Sequence, residues 1–142
     1  MVHFTVRADI YPTEDEDAVL SAVEQVLPLE SVRVEGERQE VRVLMGRGGM
    51  EGLRVLHALL RKQRILDTAR SVLLAGCGAG GLTFSLNKQA ATVGRVSFAI
   101  ENELYGPIDV LVVCAHPEKM VDWLAPPTHE GVPLFEIEEP EG

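Results

Sequence analysis

The first ten residues of the chain alternate between apolar and polar side chains. The apolar positions are Val2, Phe4, Val6, Ala8 and Ile10, and the polar residues between them are His3, Thr5, Arg7 and Asp9. A period of two residues places every apolar side chain on one face of an extended strand. The pattern therefore predicts a β-strand with one buried face, and so a fold that contains a sheet.

A helix and a hairpin are predicted next. Residues 12–16 open a helix, in which Thr13 is the expected N-cap and Glu16 completes a capping box. Apolar residues at helical spacing from 19 to 27 form its buried stripe, and Pro28 ends it. Alternating residues over 31–45, interrupted by a turn at 36–39, predict a β-hairpin.

The second half of the chain mixes helical and strand-like patterns. Apolar stripes over 53–60 and 65–73 are out of phase, which predicts two helices, or one helix kinked near 61–63. A loop is expected at 76–81, with strands over 82–86 and 93–100. The almost wholly apolar run 108–115 predicts a strand buried on both faces, and Pro117 is expected to open a helix that ends at Trp123 or Leu124.

These elements fit a single α+β domain over residues 1–135, with a largely antiparallel sheet backed by helices, and an acidic tail over 136–142 that is expected to fray. No apolar run approaches the roughly 18 residues that span a bilayer. The two cysteines provide neither a disulfide framework nor a zinc pattern. We therefore expect a cytoplasmic protein that does not contact membranes and needs no metal or other cofactor.

Basic residues are concentrated in the middle of the chain. Residues 41–95 carry nine basic and two acidic side chains, although the whole chain has a net charge of −9. Arg54, His57, Arg61 and Arg64 are spaced 3, 4 and 3 residues apart, which aligns them on one face of a continuous helix. Such a stripe suits phosphate groups, but charge alone favours a solvated helix face that pairs with the acidic segments of the same chain.

A glycine motif suggests a different function. The stretch 71–81 resembles the first motif of methyltransferases that use S-adenosylmethionine, and Gly76, Gly78 and Gly81 satisfy the G-x-G-x-x-G spacing. That motif needs a strand before the glycines and a helix after them. Here a helix is predicted before and a strand after, which favours a simple loop.

Several separate stretches resemble a small, uncharacterised archaeal family labelled RNA-binding. They are R-A-D-I-Y-P-T-E-D-E at 7–16, R-I-L-D-T-A-R at 64–70, N-K-Q-A-A at 87–91, V-S-F at 96–98, and D-W-L-A-P at 122–126 with Thr128 and Gly131. The resemblance implies an α+β fold similar to ribosomal protein L-five, without an assigned enzymatic activity. It also marks the polar residues Arg64, Asp67, Arg70, Asn87, Lys88 and Gln89.

The sequence therefore predicts a non-catalytic protein that binds RNA or a ribonucleoprotein. The candidate RNA contacts are Arg54, Arg61, Lys62, Arg64, Arg70, Asn87, Lys88, Gln89 and Arg95. The alternatives are a protein–protein adaptor and, less favoured, the methyltransferase. A homodimer is expected because the apolar strand near 110–115 needs cover on two faces, unless residues 132–137 of the same chain supply that cover.

Overall fold

The structure is a computed structural model, which describes residues 2–99 and 105–141. Its helices are α1 (Glu16–Val26), α2 (Met50–Lys62), α3 (Leu66–Ala75), α4 (Lys88–Thr92) and α5 (Pro117–Leu124). Its strands are β1 (His3–Ile10), β2 (Ser31–Glu35), β3 (Arg42–Gly48), β4 (Cys77–Gly78), β5 (Gly81–Asn87), β6 (Pro107–Val113), β7 (Thr128–His129) and β8 (Val132–Pro133). The predicted single α+β domain is confirmed.

Strands β1 to β6 form one antiparallel sheet. The order across the sheet is β2-β3-β1-β6-β5-β4, so the first strand of the chain lies at the centre and pairs with β3 and β6. Strands β7 and β8 form a separate small hairpin near the C-terminus. Within the described residues, no helix is long and apolar enough to cross a membrane.

The core lies between one face of the sheet and the helices. The apolar positions of β1 are buried, as its alternation predicts, and they pack with buried residues of α1, α2, α3 and α5. Fully buried side chains at its centre include Phe4, Leu44, Leu56, Leu60 and Met120. The opposite face of the sheet carries no helix among the described residues, and we call it the open face.

Several local predictions are confirmed. The hairpin at 31–45 is the β2–β3 pair. The out-of-phase stripes are two helices, α2 and α3, and the turn between them places Arg64 at a φ of 57°. The helix that Pro117 opens ends at Leu124.

The strand over 108–115 was predicted wrongly to be buried on both faces. Burial alternates along β6, and Asp109 and Leu111 are exposed on the open face. The apolar run is therefore a central strand of a sheet covered by helices on one side only.

The predicted strand over 93–100 is also wrong within its described part. Asn87 caps α4 by accepting a hydrogen bond from the Ala90 N–H at 2.7 Å, so the chain turns helical after β5. The N–H and C=O of Val96 are then bonded by the Gln63 side chain rather than by a strand. Pairing with β5 is confined to 97–99, where Phe98 bridges Leu86, the Asn87 N–H donates to the Ser97 oxygen at 2.7 Å and the Ala99 N–H donates to the Ser85 oxygen at 2.9 Å. Ile100 lies outside the described residues.

Two smaller corrections concern α1 and the glycine stretch. Asp15, not Thr13, caps α1, because its carboxylate accepts the Asp17 N–H at 3.2 Å. The expected loop at 76–81 contains the short strand β4, which forms a tight hairpin with β5. Gly76 allows this approach, since a Cβ there would lie 1.8 Å from the Thr83 carbonyl oxygen.

Candidate functional site

Helix α2 presents its arginines on the side that faces α5. Its buried side is formed by Gly52, Leu53, Leu56 and Leu60. Arg54, His57 and Arg61 project elsewhere, and the seven-residue step from Arg54 to Arg61 is about two turns, or about 10.5 Å along the axis. The C-terminal segment of the chain reaches this side, which we call the α2 face.

The Arg61 guanidinium is held in a fixed orientation by backbone carbonyls. Its NH1 donates to the oxygens of His57 and Leu124, both at 2.9 Å, and its NH2 donates to the Trp123 oxygen at 3.1 Å. The remaining edge donates to Glu136 through Nε at 2.9 Å and NH2 at 2.5 Å. Arg61 therefore offers a preoriented two-point donor edge to a planar anion.

Arg54 makes a second two-point contact with the C-terminal segment. Its Nε and NH2 both donate to the carboxylate of Glu139, the NH2 bond being 2.9 Å long. The Arg54 hydrogen bond lowers the pKa of Glu139, and Arg61 lowers the pKa of Glu136 in the same way. Both carboxylates are consequently ionised at neutral pH.

An aromatic pair lies between these two arginines. The His57 ring stacks on the Trp123 indole with 4.6 Å between centroids and 27° between planes. Burial, followed by the charge of Arg61, lowers the pKa of His57, so its ring is neutral at pH 7. Residues 136–139 line a cavity of about 660 Å³ together with His57, Arg61 and Trp123.

Three exposed cations, Lys62, Arg64 and Arg95, flank a contact at the end of α2, and we call this group the corner. Gln63 joins this end to Val96 through two hydrogen bonds, of 2.8 Å and 2.7 Å. Lys62 and Arg64 flank Gln63 in the sequence, and Arg95 precedes Val96, so the three cations flank this contact. All three side chains are exposed, and no ion pair involves them within the described part of the chain.

The other predicted contacts lie apart from the corner. Arg70 donates to Asp122 at 2.9 Å and to the Ala125 oxygen at 3.1 Å. Lys88 is 3% exposed, and its Nζ donates to the carbonyls of Asp9 and Tyr105, both at 2.6 Å, and to Glu14. Asn87 is the cap of α4, and Gln89 is exposed on that helix.

The open face is a polar surface that was not among the predicted sites. One row of cross-strand neighbours is Ser31, Arg47, Thr5, Leu111 and Thr83, and the next is Arg33, Met45, Arg7, Asp109 and Ser85. They line a shallow concavity of about 940 Å³. The polar half of the alternating pattern in β1 was the signal that could have indicated this surface.

Charges on the open face are largely balanced. Arg33 pairs with Glu35 at 3.1 Å, Arg7 lies 3.8 Å from Asp9, and Ser85 donates to Asp109 at 2.6 Å. None of the ten residues in the two rows is aromatic. Compared with the corner, the open face offers less net positive charge to a polyanion.

The glycine motif has a structural explanation. Helix α3 precedes it and β5 follows it, which reverses the strand–glycine–helix order that a dinucleotide or S-adenosylmethionine cradle requires. Gly80 has a φ of 76° at the β4–β5 turn. The glycines thus serve a tight hairpin.

Comparison with known families identifies a match over most of the chain. A family model described as RNA binding matches residues 3–113. This range begins with β1 and ends with β6, so it contains the six-stranded sheet, the α2 helix and the corner. It leaves out α5 and the acidic C-terminal segment.

Relatives and solved structures match nearly the full length. A UPF0201 protein of Sulfolobus acidocaldarius is 39% identical over 139 residues, which are 96% of this chain and 95% of that protein. A UPF0200/UPF0201 protein of Archaeoglobus fulgidus is 39% identical over 140 residues, covering 97% of this chain but 42% of that protein. The crystal structure of a UPF0201 protein from Methanococcus jannaschii has a TM-score of 0.85 at 32% identity, covering 94% of this chain and 99% of that chain.

Proposed function

This chain belongs to the archaeal UPF0201 family, and we propose that it is a non-catalytic RNA-binding protein that contacts phosphates through the corner and the α2 face. The observation that carries the proposal is the preoriented donor edge of Arg61, next to the exposed cations Lys62, Arg64 and Arg95. The family description, RNA binding, supports it and covers these residues. The predicted cytoplasmic location and the likeness to ribosomal protein L-five belong to the same proposal.

The remaining predicted contacts have different parts in this proposal. Gln89 is exposed and available to RNA. Arg70, Asn87 and Lys88 already bond to protein groups, so we assign them the role of holding α5 and α4 in place. The RNA contacts proper are then Arg54, Arg61, Lys62, Arg64, Gln89 and Arg95.

Binding of a hairpin RNA at two salt concentrations tests this function. Each phosphate neutralised adds roughly 0.7–0.9 to the slope of log affinity against log salt. Replacing Lys62, Arg64 and Arg95 together by alanine should weaken binding and reduce that slope by about 2–3. The measurement is fluorescence anisotropy of labelled RNA.

A matched variant on the open face provides the control. Replacing Arg7, Arg33 and Arg47 by alanine removes the same number of cations from the opposite side of the sheet. RNA affinity should change much less in this variant than in the corner variant. A larger loss of affinity in the open-face variant than in the corner variant would assign RNA to the open face. If the wild-type protein does not bind RNA, the proposed function is refuted.

A second candidate function is a protein–protein adaptor. The Archaeoglobus fulgidus relative carries this domain in less than half of its length, under a name that joins UPF0200 and UPF0201. Because UPF0200 and UPF0201 are joined in one chain in that organism, we expect the two proteins to associate where they are separate chains. The exposed apolar side chains Val132, Leu134 and Phe135 provide a surface for such a partner.

Light scattering tests the adaptor and the predicted homodimer together. The C-terminal residues Val132, Leu134 and Phe135 are exposed, so a second subunit remains the proposed cover for Leu111 on the open face. We expect twice 15.5 kDa for the chain alone and a larger complex after adding a UPF0200 protein. A mass of 15.5 kDa in both samples would contradict both proposals.

A further inference from the structure

We infer that residues 136–139 are an internal competitor that occupies the phosphate site of the α2 face until RNA displaces it. The inference rests on the proposed function and specifies how that site is regulated. Glu136 accepts two hydrogen bonds from the Arg61 guanidinium, and Glu139 accepts two from Arg54, so each carboxylate occupies the donor edge of one arginine. A phosphate group offers oxygens to the same guanidinium edge, so the two carboxylates stand in for two phosphates.

The competing segment is attached to the domain weakly. Among the described residues, the last backbone hydrogen bond toward the C-terminus joins the Leu134 N–H to the Pro127 oxygen. Beyond it, the side chains of Glu136 and Glu139 are half-exposed and Ile137 is 38% exposed. Because exposed ion pairs contribute little stability, a polyanion can replace this segment at small cost.

Displacement would also uncover an aromatic surface. Residues 136–139 line the cavity over the His57–Trp123 pair, and Trp123 is only 4% exposed while they are in place. Base stacking on aromatic side chains is a recurring means of holding single-stranded RNA next to cationic groups. The α2 face therefore combines two guanidinium groups with a stacking surface once the segment leaves.

Two double variants of the full chain separate this mechanism from general electrostatics. Glu136→Gln with Glu139→Gln removes the two carboxylates that contact arginine. Glu138→Gln with Glu141→Gln removes the same charge from the same acidic C-terminal stretch, at positions without an ion pair within the described residues. The probe is a fluorescently labelled hairpin RNA with a mixed-sequence loop.

We expect Glu136→Gln/Glu139→Gln to raise RNA affinity by about tenfold, a change of about 1.4 kcal/mol. The salt slope should steepen in this variant, because RNA binding by the wild-type protein must also break two exposed ion pairs that salt weakens, which offsets part of the salt dependence of the phosphate contacts. RNA should quench Trp123 fluorescence in both proteins. Adding Arg54→Gln to the variant should remove part of the gain.

The possible failures are distinguishable. If wild-type protein binds RNA and both double variants bind it equally well, the competitor mechanism is refuted and the RNA-binding function stands. If no protein in the series binds RNA at low salt, the function and the mechanism are refuted together. A tenfold gain confined to Glu136→Gln/Glu139→Gln supports the mechanism.

Discussion

Lys88 and Arg61 each pair with a carboxylate from a distant segment of the chain, but their surroundings differ. The Lys88 side chain is 4% exposed and its partner Glu14 16%, whereas the Arg61 side chain is 21% exposed and its partner Glu136 50%. Lys88 also bonds to two carbonyls, from β1 and from Tyr105. The first pair is enclosed by the fold, and the second lies at its edge.

Burial decides which pair can be exchanged. Removing one partner of an enclosed pair leaves a charge without water or a counter-charge, which is strongly unfavourable. At the edge, water replaces a lost partner at little cost. Similar residue types therefore fix the structure at the α4–β1 junction and remain replaceable at the α2 face.

The largest expected effect comes from Lys88→Met. This change removes the ammonium donor of Glu14 and of the carbonyls of Asp9 and Tyr105, and it leaves the Glu14 carboxylate with the Tyr11 N–H but without a counter-charge. We expect the free energy of unfolding to fall by about 3–5 kcal/mol, measured by urea denaturation. Gln89→Met is the control, since it adds the same side chain at an exposed neighbour and should change stability by less than about 0.5 kcal/mol.

A small loss in Lys88→Met would contradict the assigned difference between the two regions. If its free energy of unfolding falls by less than about 1 kcal/mol, the enclosed pair is no more important than an exposed one. Combining Lys88→Met with Glu14→Gln should recover part of the loss, because the unpaired carboxylate is then gone.

A much smaller effect is expected for Glu136→Gln. The ion pair with Arg61 is partly solvated, and Arg61 keeps its three carbonyl contacts. The free energy of unfolding should fall by less than about 1 kcal/mol. Glu138→Gln serves as the matched control, and a loss as large as that of Lys88→Met would show that the segment is a fixed part of the fold.

The sequence predicted the elements whose signals are local. The alternation in β1, the phase break between α2 and α3, and Pro117 before α5 all depend on neighbouring residues, and each is confirmed. The burial of β6 depends on whether helices cover one face of the sheet or both, and no local sequence pattern predicts that. The strand predicted over 93–100 pairs with β5 only at 97–99 within its described part, and at Val96 the backbone groups bond instead to Gln63, more than thirty residues away.

The candidate site was predictable in composition but not in arrangement. Spacing placed Arg54, His57 and Arg61 on one face of α2, and acidic segments were a foreseeable alternative partner for them. Which acids approach depends on the path of the chain after α5, and this path brings Glu136 and Glu139 to the arginines. The stacking of His57 on Trp123 likewise joins two helices that are distant in sequence.

The smallest predicted effect is the pH dependence of the Glu136 contribution. Arg61 lowers the pKa of Glu136 in the folded protein, so the unfolded chain binds the proton more readily. The contribution is therefore complete above the ordinary glutamate pKa of about 4.3, and it is lost as pH falls through the lower pKa of the folded state. The difference in unfolding free energy between the wild-type protein and Glu136→Gln, measured in urea at successive pH values, should be constant from pH 7 to about 5 and shrink below about 4.3.

His57 also has a lowered pKa, which decreases stability as pH falls below about 6.5, but this contribution is common to both proteins and largely cancels. A difference that grows as pH falls from 7 to about 5 would instead show coupling to His57, because the charge of Glu136 raises the pKa of His57 and its loss makes the folded variant harder to protonate. A difference close to zero at pH 7 would mean that the carboxylate does not hold the segment.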